Sequence, residues 1–277
     1  MKSFKIGEFE VSNNLPFFFI GGACVIETLD HALFMCDKIK SICDKLRVNY
    51  LFKSSFDKAN RSSFSGARGV GIDEGLRVLS RVREEFGIPV LTDVHLPEQC
   101  TRVAEVVDVL QIPAFLCRQT DLLEAAAKTG KVVNIKKGQF LAPNDMKGVI
   151  GKLEHFGAGK ILLCDRGTCF GYNNLVSDFR GLPIMGKTGY PVLFDATHSV
   201  QLPSANGNCS GGQREFAPIL ARAAVAVGVA GIFMEVHDAP DKAPSDGANM
   251  VRLDELEQIL TELVEIDKVS KKYSRRI

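Results

Sequence analysis

No two of the eight cysteines in this sequence stand at CxxC spacing. No charged start, apolar core and small-residue cleavage site come before the fold either. A disulfide framework and secretion are therefore both disfavoured, and the thiols are expected to be reduced and cytoplasmic. No apolar run approaches the ~18 residues of a membrane span. The dinucleotide pattern GxGxxG is missing, which argues against dinucleotide binding. Charge of one sign is lacking as well: 34 Lys and Arg face 33 Asp and Glu. Without a global field to gather nucleic acid or an anionic membrane, any anion site must be local. The glycosylation-like triplets at Asn60 and Asn208 carry no weight in a chain that is not secreted.

At 277 residues and 45% hydrophobic, the chain sits near the ~250 residues of one β/α barrel. No linker, low-complexity tract or charge block divides it, so residues 1–277 are expected to form a single domain. Phe4, Ile6, Phe9 and Val11 alternate around Gly7 as a short hairpin, read as a plug. Pro16 to Ile20 then gives a first strand, and Leu29, Leu33, Cys36, Ile39, Cys43 and Leu46 recur at helical spacing behind a Thr28 cap. Further strands are expected at Tyr50 to Phe52, Val90 to Val94, Val109 to Ile112, Val132 to Ile135, Ile161 to Cys164, Val192 to Phe194 and Gly231 to Met234. Helical patterns lie between most of them, so an α/β fold, a closed (β/α)8 TIM barrel with an N-terminal β-hairpin, is favoured over a doubly wound sheet. A last helix is expected over Leu253 to Ile266, followed by a solvated basic tail from Lys271 to Arg276.

The stretch KSSFDKANRSS, Lys53 to Ser63, gathers two lysines, an arginine, an asparagine and four serines at one strand exit. Other exits carry Cys24, Asp93 and His95, Lys136 and Lys137, Asp165 and Arg166, Asp195 and His198, and Glu235 and His237. In a barrel these exits converge on one mouth. Lys53, Lys58, Arg61, Lys136 and Arg166 would make it cationic, suited to the phosphate and carboxylate groups of a small phosphorylated substrate. Cys24, His198, Glu235 and Asp246 offer a thiolate, an imidazole and two carboxylates, compatible with a divalent transition metal, although no close spacing links them. A glycine-rich turn at Ser210, Gly211 and Gly212 precedes a helix and reads as a plain loop more readily than as an anion site. His31 and His155 fall in helical stretches and read as surface residues.

From KANRSS (Lys58 to Ser63) the sequence closely resembles the 3-deoxy-D-manno-octulosonate 8-phosphate synthases, also called 2-dehydro-3-deoxyphosphooctonate aldolases. The likeness continues through TDVH (Thr92 to His95), QIPAFLCRQTDL (Gln111 to Leu122), NIKKGQF (Asn134 to Phe140), CDRG (Cys164 to Gly167), DATHSVQLP (Asp195 to Pro203), SGGQREF (Ser210 to Phe216) and SDG (Ser245 to Gly247). It covers nearly the whole chain in order. It implies a cytoplasmic, homotetrameric barrel that condenses phosphoenolpyruvate with arabinose 5-phosphate, releasing phosphate and forming the eight-carbon sugar acid of lipopolysaccharide.

Carried over by motif, Lys53, Lys58, Gln111, Lys136 and Arg166 would hold phosphoenolpyruvate. Asn60, Arg61 and Ser62 would hold the aldose phosphate, with Asp93 beside them and Arg118 reaching in from a neighbouring subunit. Lys53, Lys58, Lys136 and His198 are the candidate catalytic residues. A cysteine in the first-strand motif resembles the metal-dependent branch of the family, and implies that Cys24, His198, Glu235 and Asp246 hold an ion of the Mn, Fe, Zn or Co type. The GGAC of Gly21 to Cys24 departs from the GPC pattern commoner in that branch. The lysines would act as electrostatic clamps, without a Schiff base. The alternatives are a 3-deoxy-arabino-heptulosonate 7-phosphate synthase using erythrose 4-phosphate, against which KANRSS argues because that family usually has a KPRTS-like segment there, a Schiff-base aldolase, and a non-catalytic barrel that binds sugar phosphates.

Overall fold

The computed structural model describes residues 1–61, 63, 64, 66–204 and 211–273. Eight parallel strands follow one another around a closed sheet: β1 (Phe18–Gly22), β2 (Tyr50–Lys53), β3 (Val90–Asp93), β4 (Val109–Ile112), β5 (Val132–Lys136), β6 (Ile161–Asp165), β7 (Val192–Asp195) and β8 (Gly231–His237). β8 pairs with β1 on one side and with β7 on the other, and this closure excludes the doubly wound alternative. Helices α1 (Leu29–Leu46), α2 (Ile72–Phe86), α3 (Pro97–Ala104), α4 (Thr120–Lys128), α5 (Met146–His155), α6 (Gly181–Gly186), α7 (Ala217–Val227) and α8 (Leu256–Tyr273) lie between and after the strands. The expected Thr28 cap is present, its Oγ1 accepting the His31 N–H at 3.1 Å.

The core has two parts. Outward-facing strand residues such as Phe19, Phe52, Val133 and Phe194 pack with the helices. Inward-facing Phe18, Ile20, Leu51, Leu91, Val109, Leu162, Leu193 and Phe233 fill the barrel, closed at one end by Ile6 and Val11 of the antiparallel hairpin Phe4–Ile6 and Phe9–Val11. Each of those two hairpin residues is 1% exposed, a burial that contributes about 1.5–3 kcal/mol.

The period-2 alternation of strands decides what reaches the other end. Two positions beyond an inward apolar residue the same face carries Lys53 after Leu51, Asp93 after Leu91, Gln111 after Val109, Asp195 after Leu193 and Glu235 after Phe233. β2, β5, β6, β7 and β8 thus run on past the ends expected from hydropathy, because their last rungs are polar.

Three expectations are corrected. The last helix starts at Leu256 behind a 3-10 turn and continues to Tyr273. Lys271, expected in a solvated tail, is packed and donates to the carbonyls of Asn13, Gly228 and Val229. Gly211 and Gly212, expected in a plain loop, form a short strand paired antiparallel with Gln201 and Leu202; Ser210 lies outside the described residues.

Candidate active site

The strand exits enclose a cavity of about 310 Å³, and Lys53, Lys58, Asn60, Arg61, Asp93, Gln111, Lys136, Arg166, His198 and Asp246 all line it. Residues separated by most of the chain therefore share one space, as the barrel argument required. Ser62 lies outside the described residues. Arg118 is exposed and is not among the residues lining the cavity of its own chain.

Two buried ion pairs frame the cavity. Lys53 Nζ is 3.1 Å from Glu235 Oε1 and donates to the Cys24 carbonyl at 3.0 Å. On the opposite side Lys136 Nζ pairs with Asp195 Oδ2 and sits 3.6 Å over the Phe233 ring. Asp195 also accepts from the backbone N–H of His198 at 2.9 Å and from its Nδ1 at 2.8 Å, which directs Nε2 inward, 3.9 Å from Glu235 Oε1. Lys58 Nζ stands 3.8 Å from the same carboxylate oxygen. Burial works against the charge of Lys58, but Cys24, Glu235, Asp93 and Asp246 outweigh it and hold its ammonium well above the ordinary lysine range.

Arg166 is the cation left short of partners. Its Nη2 donates to Gln201 Oε1 at 2.9 Å, while Nη1 is buried with no hydrogen-bond partner among the described residues. Burial lowers its pKa against the pull of Asp195, Asp246 and Asp165. A buried guanidinium with a spare donor, beside three lysines, is suited to an anionic group that accepts several charge-assisted hydrogen bonds.

The second cluster lies at the β1 and β8 exits. Ligand atoms of Cys24, Glu235 and Asp246 fall within 4.8 Å of one another. Cys24 Sγ is 3.2 Å from both Ser245 Oγ and Asp246 Oδ2. Glu235 Oε2 is buried with no partner among the described residues. Burial, and then the Glu235 charge, pushes the Cys24 thiol up, against Lys58 and Lys53. An orphaned carboxylate oxygen and a thiol that needs positive charge to ionise fit a divalent ion. Three of the four predicted ligands are thus mutually close, and His198 flanks them. The GGAC turn is tightly fixed: Gly22 has φ +148°, and a Cβ there would lie 2.2 Å from the Lys53 carbonyl oxygen. Ser54 Oγ donates to the Ala23 carbonyl at 3.0 Å, which braces the same turn.

Several supporting residues escaped the sequence reading. Gln201 bridges the two clusters, accepting from Arg166 and donating to Asp246 Oδ1 at 3.1 Å. Ser55 Oγ donates to Asp93 Oδ1, beside the expected exit residue His95, whose Nε2 meets Asp93 Oδ2 at 3.0 Å. Thr197 Oγ1 accepts the Glu235 N–H at 2.8 Å. His31 is also corrected: it is mostly buried, 3.0 Å from Asp238 Oδ1, whereas His155 is exposed as expected.

A closed parallel barrel whose mouth brings lysines and an arginine onto one cavity is a (β/α)8 enzyme that handles anionic substrates. The sequence profile of the DAHP synthetase I family matches residues 5–272. The chain is 60% identical over 270 residues to a 2-dehydro-3-deoxyphosphooctonate aldolase of Rickettsia bellii (strain OSU 85-389), covering 98% of each chain. It is 59% identical over 268 residues to one of Bartonella henselae (97% of this chain, 96% of the other), and 58% identical over 270 residues to one of Rickettsia prowazekii (98% of each). The chain belongs to the DAHP synthetase I family and, within it, to the 2-dehydro-3-deoxyphosphooctonate aldolases.

Proposed function

We propose that this chain, as one catalytic domain, condenses phosphoenolpyruvate with D-arabinose 5-phosphate and water to give 3-deoxy-D-manno-octulosonate 8-phosphate and inorganic phosphate, in lipopolysaccharide precursor biosynthesis. The observation that carries the reading is the buried, half-partnered Arg166 facing Lys53, Lys58 and Lys136 across one cavity. Phosphoenolpyruvate presents a phosphate and a carboxylate on three carbons, and both groups accept bidentate and charge-assisted hydrogen bonds from such a set. Asn60 and Arg61, at the open side, are placed for the phosphate of the aldose, together with Ser62 of the same segment. Arg118 is assigned to a neighbouring mouth in a homotetramer. The relatives' shared name selects the octulosonate product over the heptulosonate named by the family profile, in accord with KANRSS.

Carbon 3 of the enol phosphate attacks the aldehyde carbon, water adds at carbon 2, and the carbon–oxygen bond to phosphate then breaks. Lys53, Lys136 and Arg166 hold the donor in register and offset its charge as it shifts toward the leaving phosphate. Lys53 and Lys136 are tied to Glu235 and Asp195, so they present N–H donors and do not act as nucleophiles. Asp195 fixes the His198 ring, so that Nε2 faces the reacting side. Cys24, His198, Glu235 and Asp246 would hold a divalent ion of the Mn, Fe, Zn or Co type. When bound, such an ion polarises an oxygen of the substrate or lowers the pKa of a water.

No helix among the described residues is long and apolar enough to cross a membrane. The near balance of charge gives no reason for membrane or nucleic-acid attachment, in accord with a cytoplasmic enzyme. Phosphate release is the test. Turnover with arabinose 5-phosphate and none with erythrose 4-phosphate is expected. The reverse preference would move the assignment to the heptulosonate synthases, and binding without turnover would leave a sugar-phosphate-binding barrel.

A further inference from the structure

Outside the mouth cavity, four ionisable side chains meet on the rim between the exits of β1 and β8. None of Glu27, His31, His237 or Asp238 lines the cavity. We infer that Glu27, His31 and His237 form a second divalent-cation site, with Asp238 as the carboxylate that orients both imidazoles.

Ligand atoms of Glu27, His31 and His237 lie within 4.8 Å of one another. His237 Nε2 is 2.8 Å from Glu27 Oε1, and His31 Nδ1 is 3.9 Å from the same oxygen. The opposite nitrogens of both rings turn to one atom: Asp238 Oδ1 is 3.0 Å from His31 Nε2 and 3.1 Å from His237 Nδ1. Each imidazole thus shows one nitrogen to Glu27 and the other to Asp238. A histidine that ligates a metal almost always has its other ring N–H donating to a carboxylate, a carbonyl or a water; His31 already has Asp238 as such a partner, whereas His237 Nδ1 accepts the Ala239 N–H. The ring centroids stand 4.8 Å apart at 45°, so the two rings are tilted and not stacked.

The frame is set before any ion arrives. Glu27 precedes the Thr28 cap of α1, and the cap's hydrogen bond to the His31 N–H fixes the helical turn from which His31 projects. His237 ends β8 and pairs with Arg252 in the short strand Val251–Arg252, which leaves its backbone little freedom. Two imidazoles and one carboxylate suit zinc and its first-row neighbours, with remaining positions open to water. The competing arrangement is metal-free. In it, His237 Nδ1 accepts the Ala239 N–H at 2.9 Å and Nε2 donates to Glu27. On binding, the ring changes tautomer: the proton passes from Nε2 to Nδ1, whose N–H donates to Asp238 Oδ1, and the Ala239 N–H gives up its acceptor there.

The test is zinc stoichiometry on full-length, metal-depleted protein, by calorimetric titration and elemental analysis after gel filtration. The Cys24→Ser variant, which lacks the mouth thiolate, is expected to retain a zinc site. Adding His31→Ala or Glu27→Gln to that background should lower the zinc count by one equivalent, and adding Asp238→Asn should weaken binding at that site about 10–100-fold. In otherwise unchanged protein His31→Ala is expected to leave turnover within about twofold, because the rim is separate from the mouth. Thermal unfolding confirms that each variant is folded, and two rim substitutions guard against one failing to fold. Cys24→Ser protein that binds no zinc, or a zinc count that neither rim substitution lowers by one equivalent, would leave a hydrogen-bonded cluster only and overturn the proposal. The outcome does not depend on whether the mouth itself binds metal.

Discussion

Lys53 Nζ rests 3.1 Å from Glu235 Oε1, with the two side chains 2% and 0% exposed. The same ammonium is tied to the Cys24 carbonyl, so one cation joins the exits of β1, β2 and β8. Removing one partner of a buried pair strands the other charge. Lys53→Met is expected to cost about 3–5 kcal/mol, read as a lower urea midpoint at unchanged slope. It should also lower kcat/KM by about a hundredfold or more through the lost anion donor. Wild-type stability in this variant would mean that Lys58, 3.8 Å from the same carboxylate, takes over the charge.

Asp93 gives a prediction in pH. Burial disfavours its carboxylate, but the His95 hydrogen bond and the Lys53 and Lys58 charges outweigh burial and hold its pKa well below the ordinary aspartate value. A depressed folded pKa contributes stability that is present above the unfolded value, about 3.9, and is lost as pH falls through the folded value. Asp93→Asn should therefore be less stable at pH 7, by about 2 kcal/mol. It should also lose stability less steeply than wild type below about pH 4. Denaturant midpoints over this range decide it, and parallel slopes for the two proteins would contradict the linkage.

The barrel and its cations were legible because each charged exit residue follows an apolar run of the right period. Lys53 after Leu51 and Asp195 after Leu193 stay on the face that the alternation had already turned inward. What failed to show was partnership across long stretches of chain. Gln201 is neutral, and its partner Asp246 lies 45 residues away. His31 reads as a surface residue on its helix because Asp238 is 207 residues distant. The ends of β2, β5, β6, β7 and β8 read short for a related reason: hydropathy stops where the polar rungs begin, although the hydrogen-bonded ladder continues.

Lys271 separates stability from function. Its Nζ donates to the Asn13, Gly228 and Val229 carbonyls at 2.8, 3.0 and 2.8 Å, locking α8 across the hairpin end of the barrel. Asp267, whose Oδ2 accepts the Phe17 N–H at 3.1 Å, lies beside it. This is the end opposite the mouth, where side chains serve the fold. Lys271→Ala is expected to lower stability by about 2–4 kcal/mol while kcat/KM stays within about twofold. A large loss of turnover in protein that remains folded would show that the two ends are coupled.

Cys24 is the residue whose chemistry depends most on what it meets. Left to burial and the neighbouring Glu235 and Asp246 carboxylates, its thiol stays protonated, since Lys58 and Lys53 only partly offset them. An ion shared with Glu235 and Asp246 reverses that balance, because a coordinated thiol loses its proton outright. Chelator treatment is therefore expected to abolish phosphate release, and readdition of a divalent ion to restore it. With Co²⁺ as the probe, a thiolate-to-metal charge-transfer band should accompany the recovery and be absent from Cys24→Ser. The serine variant keeps a ligand of similar size but a much weaker one, so its affinity for the ion should fall by at least about tenfold, comparable to the cost of losing an outer-shell partner. Recovery of activity without the band would place the ion on the carboxylates and His198 alone. Activity untouched in protein shown to be free of metal would leave the lysines and Arg166 to do the chemistry by electrostatics.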